Sequence, residues 1–487
     1  MTRTRTLGAL AAVVGYLAFV EFTSGVLQGY YTPMLTDIAR HLGIHDADVN
    51  WLEGSQLMLS ALVVPAFAKL GDMVGHKRML LVSTALTAVA ALVLPFTDSF
   101  AVFLVAWTLM GFYVVWLPLE IALIWSRSRR LEGRAGITAQ AAGLLVAALE
   151  GGAIIGALAG GQLVDVLPLT VVLLVPAALI VVCFFVILVG VKESPDQNGG
   201  TFDTIGLVLI SLALLCFTGG LSLLRLDGGV ANPLSWAVVV LGVLLVVPFA
   251  RWELRHPDPL IDVRMFRSPA LGPVFLTAGL FGVSVLGAQA PLSTFARTDP
   301  GVNGYGLGTS GFQTSLIIGL YLIAMIAGAL LFPAVARRIS PRRALLLASL
   351  LVGAGFLLFV PFHDTYPQVV VNMMIAGLGS GALVAALPAA AASAAPATQT
   401  GVATGLTNSV KTVGGAVASC VFGIALLGGA AQVAGSTAEN TAGSLAGYMT
   451  VWIVCGVTAL VAAFCLLFVP RTAFTDRSVE PEAAPLR

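Results

Sequence analysis

Charge is scarce in this chain. Asp, Glu, Lys and Arg make up 10% of its 487 residues, where soluble proteins carry roughly 25%, and 58% of positions are hydrophobic. A water-soluble globular fold is excluded. The 25 basic and 24 acidic residues nearly cancel, leaving +1, so there is no basic field of the kind that holds nucleic-acid phosphates. Cysteine is sparse too. Cys183, Cys216, Cys420, Cys455 and Cys465 all fall in apolar runs, without the paired spacing or neighbouring histidines of a zinc site or disulfide framework, and read as small apolar residues. No cluster of His, Cys and acidic ligands and no nucleophile with its base lies in or beside those runs, so no metal, no cofactor and no enzymatic chemistry is expected.

What the chain has in abundance is long apolar runs. A spanning helix needs about 20 mostly apolar residues to cross a hydrocarbon core about 30 Å thick, and such runs lie at 7–34, 49–68, 79–97, 100–125, 136–162, 168–190, 204–224, 234–250, 270–297, 312–333, 343–362, 367–392, 400–428 and 446–470. That predicts fourteen spans. The first run is too long and polar for a signal-peptide core and is not followed by a small-residue cleavage site, so it reads as a retained span. Basic residues in short loops stay cytoplasmic. Both termini and the even-numbered loops hold 21 of the 25 basic residues, including Arg3, Arg5, Lys69, Lys77, Arg78, Arg127, Arg129, Arg130, Arg134, Lys192 and the pairs Arg337-Arg338 and Arg342-Arg343. Only Arg40, Arg225 and Arg297 fall on the other side, and Lys411 falls inside a span. The expectation is a multi-pass protein of the cell membrane with both termini cytoplasmic.

The segment from Ala68 to Arg78 after span 2 resembles, in position and basic ending, the segment from Pro333 to Arg343 after span 10. This weak repeat predicts an all-α polytopic membrane protein built of two six-helix bundles, residues 1–190 and 268–470. Spans 7 and 8 are then an inserted hairpin within 191–267, and residues 471–487 form a cytoplasmic tail. Repeated halves with a site between them are a recurring transporter design.

Four features stand out. In Gly71-Asp72-Met73-Val74-Gly75-His76-Lys77-Arg78 the glycines Gly71 and Gly75 permit a tight connection, and Asp72 with Lys77 and Arg78 could hold neighbouring helix ends in one conformation and release them in another; the plain alternative is an ordinary positive-inside loop. Gly152, Gly156, Gly160 and Gly161 form a small-residue stripe that predicts close helix contact, as a pivot between halves or as generic packing. Glu21, Glu120 and Glu150 lie at membrane depth, with Glu53 nearer the external end of span 2. A carboxylate there costs at least about 2.5 kcal/mol and belongs beside a cavity or a partner. Glu21, near mid-span, suits a group that takes up and releases a proton as access alternates, linked to Glu120 or Glu150. Lys411, about ten residues or roughly 15 Å into its span with Asn408 one turn before it, reads as a buried cation paired with a carboxylate that the sequence does not name. The alternative is a side chain snorkelling to the headgroups.

Assembled, these residues resemble the major facilitator superfamily and, within it, the fourteen-span drug/proton antiporters, the QacA/EmrB-like group. Asp72, Gly75, Lys77 and Arg78 match the superfamily's loop 2–3 signature, with Ala68, Met73 and His76 as departures. Gly152, Gly156, Gly160 and Gly161 match the antiporter signature of span 5, with Ala157 where Pro is usual. Glu21-Phe22-Thr23 is similar to an Asp-x-Thr motif, and Trp51, the Glu253–Arg267 loop and Asn408…Lys411…Gly414-Gly415 also look like that group. Trp107 stands where the family's span 4 carries an Arg implicated in proton coupling; either Glu120, Glu21 or Lys411 takes over part of that role or coupling follows another route. The resemblance implies a major facilitator fold, a cavity lined chiefly by spans 1, 4, 9 and 12, and proton-coupled efflux of lipophilic or cationic small molecules by alternating access. The partners implied are a small-molecule substrate, protons and the lipid bilayer, and a monomer is compatible with the reading. Phe22, Tyr30, Tyr31, Trp107, Phe112, Tyr113 and Trp116 are large enough to accommodate such a substrate but fit simple helix packing equally. The rival readings are a proton symporter importing a small metabolite and, from another class, a non-transporting receptor or membrane-embedded enzyme.

Overall fold

In lipid an apolar segment satisfies its backbone only by closing each N–H onto its own helix or onto a closed barrel. The described residues form helices, turns and no strand. The computed structural model describes residues 2–128, 134–193, 201–226, 229–257, 259–395, 400–428 and 441–468; Arg129, Arg130, the polar stretch 194–200 and the tail 471–487 lie outside them. In chain order, α1 (Thr2–Tyr30) leads through a short α2 (Leu35–Leu42) to α3 (Val49–Val74) and α4 (His76–Val93). Next come α5 (Phe100–Met110), α6 (Trp116–Arg127), α7 (Arg134–Val164) and α8 (Leu169–Gly190). The hairpin α9 (Thr204–Leu224) and α10 (Pro233–Glu253) follows. Then come α11 (Gly272–Val285), α12 (Gln289–Arg297), a single turn α13 (Pro300–Asn303), α14 (Gly311–Ile339), α15 (Pro341–Leu357), α16 (Tyr366–Ala394), α17 (Thr400–Leu427) and α18 (Leu445–Leu466).

Twelve segments among the described residues are long and apolar enough to cross a membrane, α5–α6 and α11–α12 counting as one each. The first and eleventh predicted spans correspond to α1 and α15, helices of 29 and 17 residues. Val89, Leu215, Val243, Leu330 and Phe464 are all exposed, an apolar exterior that suits lipid and would aggregate in water. Predicted spans 4 and 9 are not continuous helices. Each breaks one turn before a proline: a 3-10 stretch at Gly111–Val115 precedes Pro118, and a turn at 286–288 precedes Pro291. The proline ring clashes with the carbonyl four residues earlier, which here is Val114 or Gly287.

Two apolar cores form, one from residues between Leu17 and Val191 together with Ala290, with Trp107 and Trp116 inside it, the other from residues between Met265 and Leu466 together with Ala47, around Phe295 and Trp452. Corresponding pairs hold each half together, α1 on α7 and α11 on α17, and the halves meet where α3 packs on α17 and α7 on α14. Glycine sets these distances. A Cβ on Gly152, Gly156 or Gly160 would lie 2.2, 2.7 or 2.1 Å from the carbonyl oxygens of Phe22, Val26 and Tyr30, so α7 rides on α1 backbone to backbone. The expected pivot between halves is therefore corrected: three of the four stripe glycines pack inside the first half, and only Gly161 meets the second, at Gly311 and Ser315 of α14. On α17, Gly414 closes on Gly279 of α11 in the same way.

The inserted hairpin packs on the seam. Leu221 and Leu224 of α9 join Trp51 of α3 and Cys420 of α17 in one apolar cluster. Arg225, at the end of α9, is ion-paired with Asp48 and lies 5.6 Å from the Trp51 ring centre and 5.1 Å from that of Phe100. All three basic residues that depart from the loop rule, Arg40, Arg225 and Arg297, face aspartates, so locally their charge is neutralised.

Candidate functional site

A cavity of about 1380 Å3 lies between the halves. It runs from Thr32, Gln289 and Leu292 to the end of the molecule that carries the basic loops, where Lys69, Asp72, Asp262 and Arg264 form its rim. The expectation of walls from spans 1, 4, 9 and 12 is too narrow. The seam helices α3, α7, α14 and α17 contribute Leu57, Glu150, Tyr321 and Lys411 as well, because halves that part at one end uncover the faces that meet at the other. Of the aromatic residues singled out, Tyr113 lines the cavity. Tyr30, Tyr31, Trp107 and Trp116 are buried; Trp107 packs between Tyr31 and Phe103, with ring centres 5.0 and 5.9 Å away.

The opposite end is shut by a charge cluster that sequence reasoning missed. Nη2 of Arg297, at the end of α12, donates to both carboxylate oxygens of Asp37 at 2.8 Å, and its Nη1 donates to the Thr309 carbonyl at 3.2 Å and lies 3.8 Å from Asp165. Asp165, just past α7, accepts from the backbone N–H groups of Gly311 and Phe312 at 2.8 and 2.9 Å. A carboxylate of the first half thus caps a helix N-terminus of the second, where the helix dipole favours it. Ser293 donates to the Thr32 carbonyl, and the Asp46 N–H to that of Thr441 at 2.9 Å. Burial pushes the Asp37 carboxyl above its usual range while Arg297 draws it part-way back. The available signal was that Arg297 is basic on the side where bases are rare.

Glu150 and Lys411 both line the cavity, from α7 and α17, with Asn408 beside Lys411. Each carboxylate or ammonium feels the other's charge, yet they form no ion pair with one another within 4.0 Å. Glu150 is thus the carboxylate nearest in role to the partner that the sequence left unnamed, held across a gap. Glu21 and Glu120 are elsewhere. Both are fully buried, and none of their four oxygens has a hydrogen-bond partner. They are within electrostatic reach of each other, inside the first bundle and off the cavity wall. Tyr113, on that wall, is in reach of Glu21 and Glu53.

The loop between α3 and α4 is clamped within its own half. Gly75 has φ +120°, a conformation that side chains resist, and the Glu193 carboxylate fills the space beside it, accepting from the N–H groups of Lys77 and Arg78 at 2.9 and 3.1 Å. Lys77 Nζ donates to the Leu188 carbonyl at 2.8 Å. Gly71 lies against Leu119, and Asp72, near the end of α3, stands 3.3 Å from His76, the first residue of α4. The bridging acid, Glu193, sat unnoticed at the edge of a polar stretch.

Among the described residues no group of three or more His, Cys, Asp and Glu is placed to hold a metal ion, and the five cysteines are free thiols. A sequence profile of the Major Facilitator Superfamily matches residues 17–419 and again 275–486. The chain belongs to that superfamily. Among curated members it is 26% identical to the drug efflux pump JefA of Mycobacterium tuberculosis over 444 residues, 88% of this chain and 80% of that protein. It is also 26% identical to the puromycin resistance protein pur8 of Streptomyces alboniger over 471 residues, 93% of this chain and 90% of that protein. The superfamily fold is matched by the nucleoside transporter NupG, with a TM-score of 0.66 at 13% identity over 93% of this chain and 99% of that one. An auto-inhibited POT family peptide transporter matches with a TM-score of 0.65 at 14% identity over 97% and 99%. This facilitator is a multi-pass membrane transporter.

Proposed function

We propose that this transporter is a fourteen-span proton antiporter that expels lipophilic small molecules across the plasma membrane, with both termini cytoplasmic and the cavity open to the cytoplasm. α1 and α15 complete the span count, with bundles at 1–190 and 268–470 around the inserted hairpin. The efflux and resistance proteins among its relatives support the direction. The observation that carries the coupling is the enclosed pair Glu21 and Glu120, whose oxygens lack any partner. Two negative charges there would repel without compensation, so one site holds a proton, and hydration of the pair in the other state releases it. Tyr113, on the cavity wall and in electrostatic reach of Glu21, supports a proton route from pair to cavity. The loop Gly71–Arg78 and the stripe Gly152, Gly156, Gly160 and Gly161 keep the first half rigid as it rocks.

The test is purified protein in liposomes with an imposed pH gradient and a panel of lipophilic compounds. Substrate and protons are expected to move in opposite directions, and Glu21→Gln with Glu120→Gln to abolish proton exchange while compounds still bind. Movement in the same direction establishes the symporter instead, and a double variant that couples as well as the parent defeats the assignment of the pair.

A further inference from the structure

Inside its charged rim, the cavity lining carries one carboxylate, Glu150, and one ammonium, Lys411, each from a different half. Neither can drift. Glu150 lies two residues before Gly152, where α7 contacts the Phe22 carbonyl of α1, and the Lys411 carbonyl sits 1.9 Å from where a Cβ on Gly282 of α11 would be. The backbones carrying both charges are therefore fixed by helix contacts without intervening side chains, and they approach one another as the halves move. Around them the wall is largely apolar, with Leu117, Ile121, Leu292, Leu322 and Met325.

We propose that the cavity takes an amphoteric small molecule with an apolar body, its ammonium on Glu150 and its carboxylate on Lys411 and Asn408. This deepens the transporter reading and rests on it. A lipophilic cation satisfies Glu150 and leaves Lys411 facing it with like charge; a lipophilic anion does the reverse. A ligand bearing both groups compensates both charges at once and ties one half to the other, so its binding energy is largest as the halves close. Asn408 precedes Lys411 by three residues on one helical face and offers an amide donor beside the ammonium. The rim agrees: it carries Lys69 and Arg264 together with Asp72 and Asp262, both signs in equal number.

The probes are 2-naphthylalanine, its carboxamide and its N-acetyl derivative, which share one apolar body and differ only in charge. Equilibrium binding to the purified full-length protein is expected to favour the zwitterion at least tenfold over both others. Glu150→Gln should weaken zwitterion and cation binding about tenfold and spare the anion; Lys411→Gln should weaken zwitterion and anion and spare the cation. The exchange Glu150→Lys with Lys411→Glu keeps both charges and should keep the zwitterion preference. The assignment is overturned if the cation or anion binds as tightly as the zwitterion, if none of the three binds, or if the exchanged variant melts like the parent but loses the preference. Failure here stays separate from failure of coupling. A cation preference with proton exchange intact overturns this assignment alone, and amphoteric binding without proton exchange overturns the antiporter alone.

Discussion

Arg297→Gln is the sharpest perturbation of the closed end. Arg297 and Asp37 are 11% and 19% exposed and joined by two contacts at 2.8 Å, so solvent screens them little. Hydrogen bonds to charged groups contribute about 1.5–3 kcal/mol, and 1.4 kcal/mol is tenfold in population. Loss of the guanidinium should therefore shift the balance towards opening of that end by roughly tenfold to a hundredfold. The readout is a spin-label distance between Phe96 and Val302, both exposed, with Cys216 and Cys465 replaced by serine; the variant should add a longer distance population at pH 7.5. The sign of the pH response follows from Asp37. Its carboxyl is raised in the closed end relative to a hydrated aspartate, so closure is favoured by acid and weakens as pH rises through the window above the ordinary Asp value. Without Arg297 that window moves up, and acidification should restore closure in the variant. An unchanged distance at pH 7.5, or a change indifferent to pH, refutes the reasoning.

Two further outcomes test the packing. Gly156→Ala places a Cβ 2.7 Å from the Val26 carbonyl and should cost about 1–3 kcal/mol, whereas Gly151→Ala on the same helix meets nothing within 4 Å and should leave the melting temperature unchanged or higher; equal effects would mean the stripe does not set the α1–α7 distance. Glu193→Gln replaces charge-assisted bonds to the N–H groups of Lys77 and Arg78 by weaker ones, a loss of about 1–2 kcal/mol, and should speed hydrogen exchange at those amides; unchanged exchange would remove Glu193 from the clamp.

That the chain folds into membrane-length helices was legible in the residues because bilayer thickness fixes a length and the hydrocarbon core demands an apolar run. Those constraints act on the chain locally, one segment at a time. Pro118 and Pro291 carried a local signal too, yet their breaks were masked by apolar runs that continue across them. What the order of residues could not settle was partnership. Lys411 was recognisable as a cation too deep to be a loop charge, but its facing carboxylate lies 261 positions away on another helix, and only the meeting of α3 with α17 and α7 with α14 brings Glu150 opposite it. Glu21 was recognisable as out of place in oil, whereas its enclosure beside Glu120, away from the cavity, depends on how six helices pack. The closure is wholly a tertiary feature: Asp37, Asp165 and Arg297 are ordinary in sequence and meet because α2, the end of α7 and the end of α12 converge. Hydropathy sums along a chain, but charges interact through space, and that difference separates what could be read from what had to be seen.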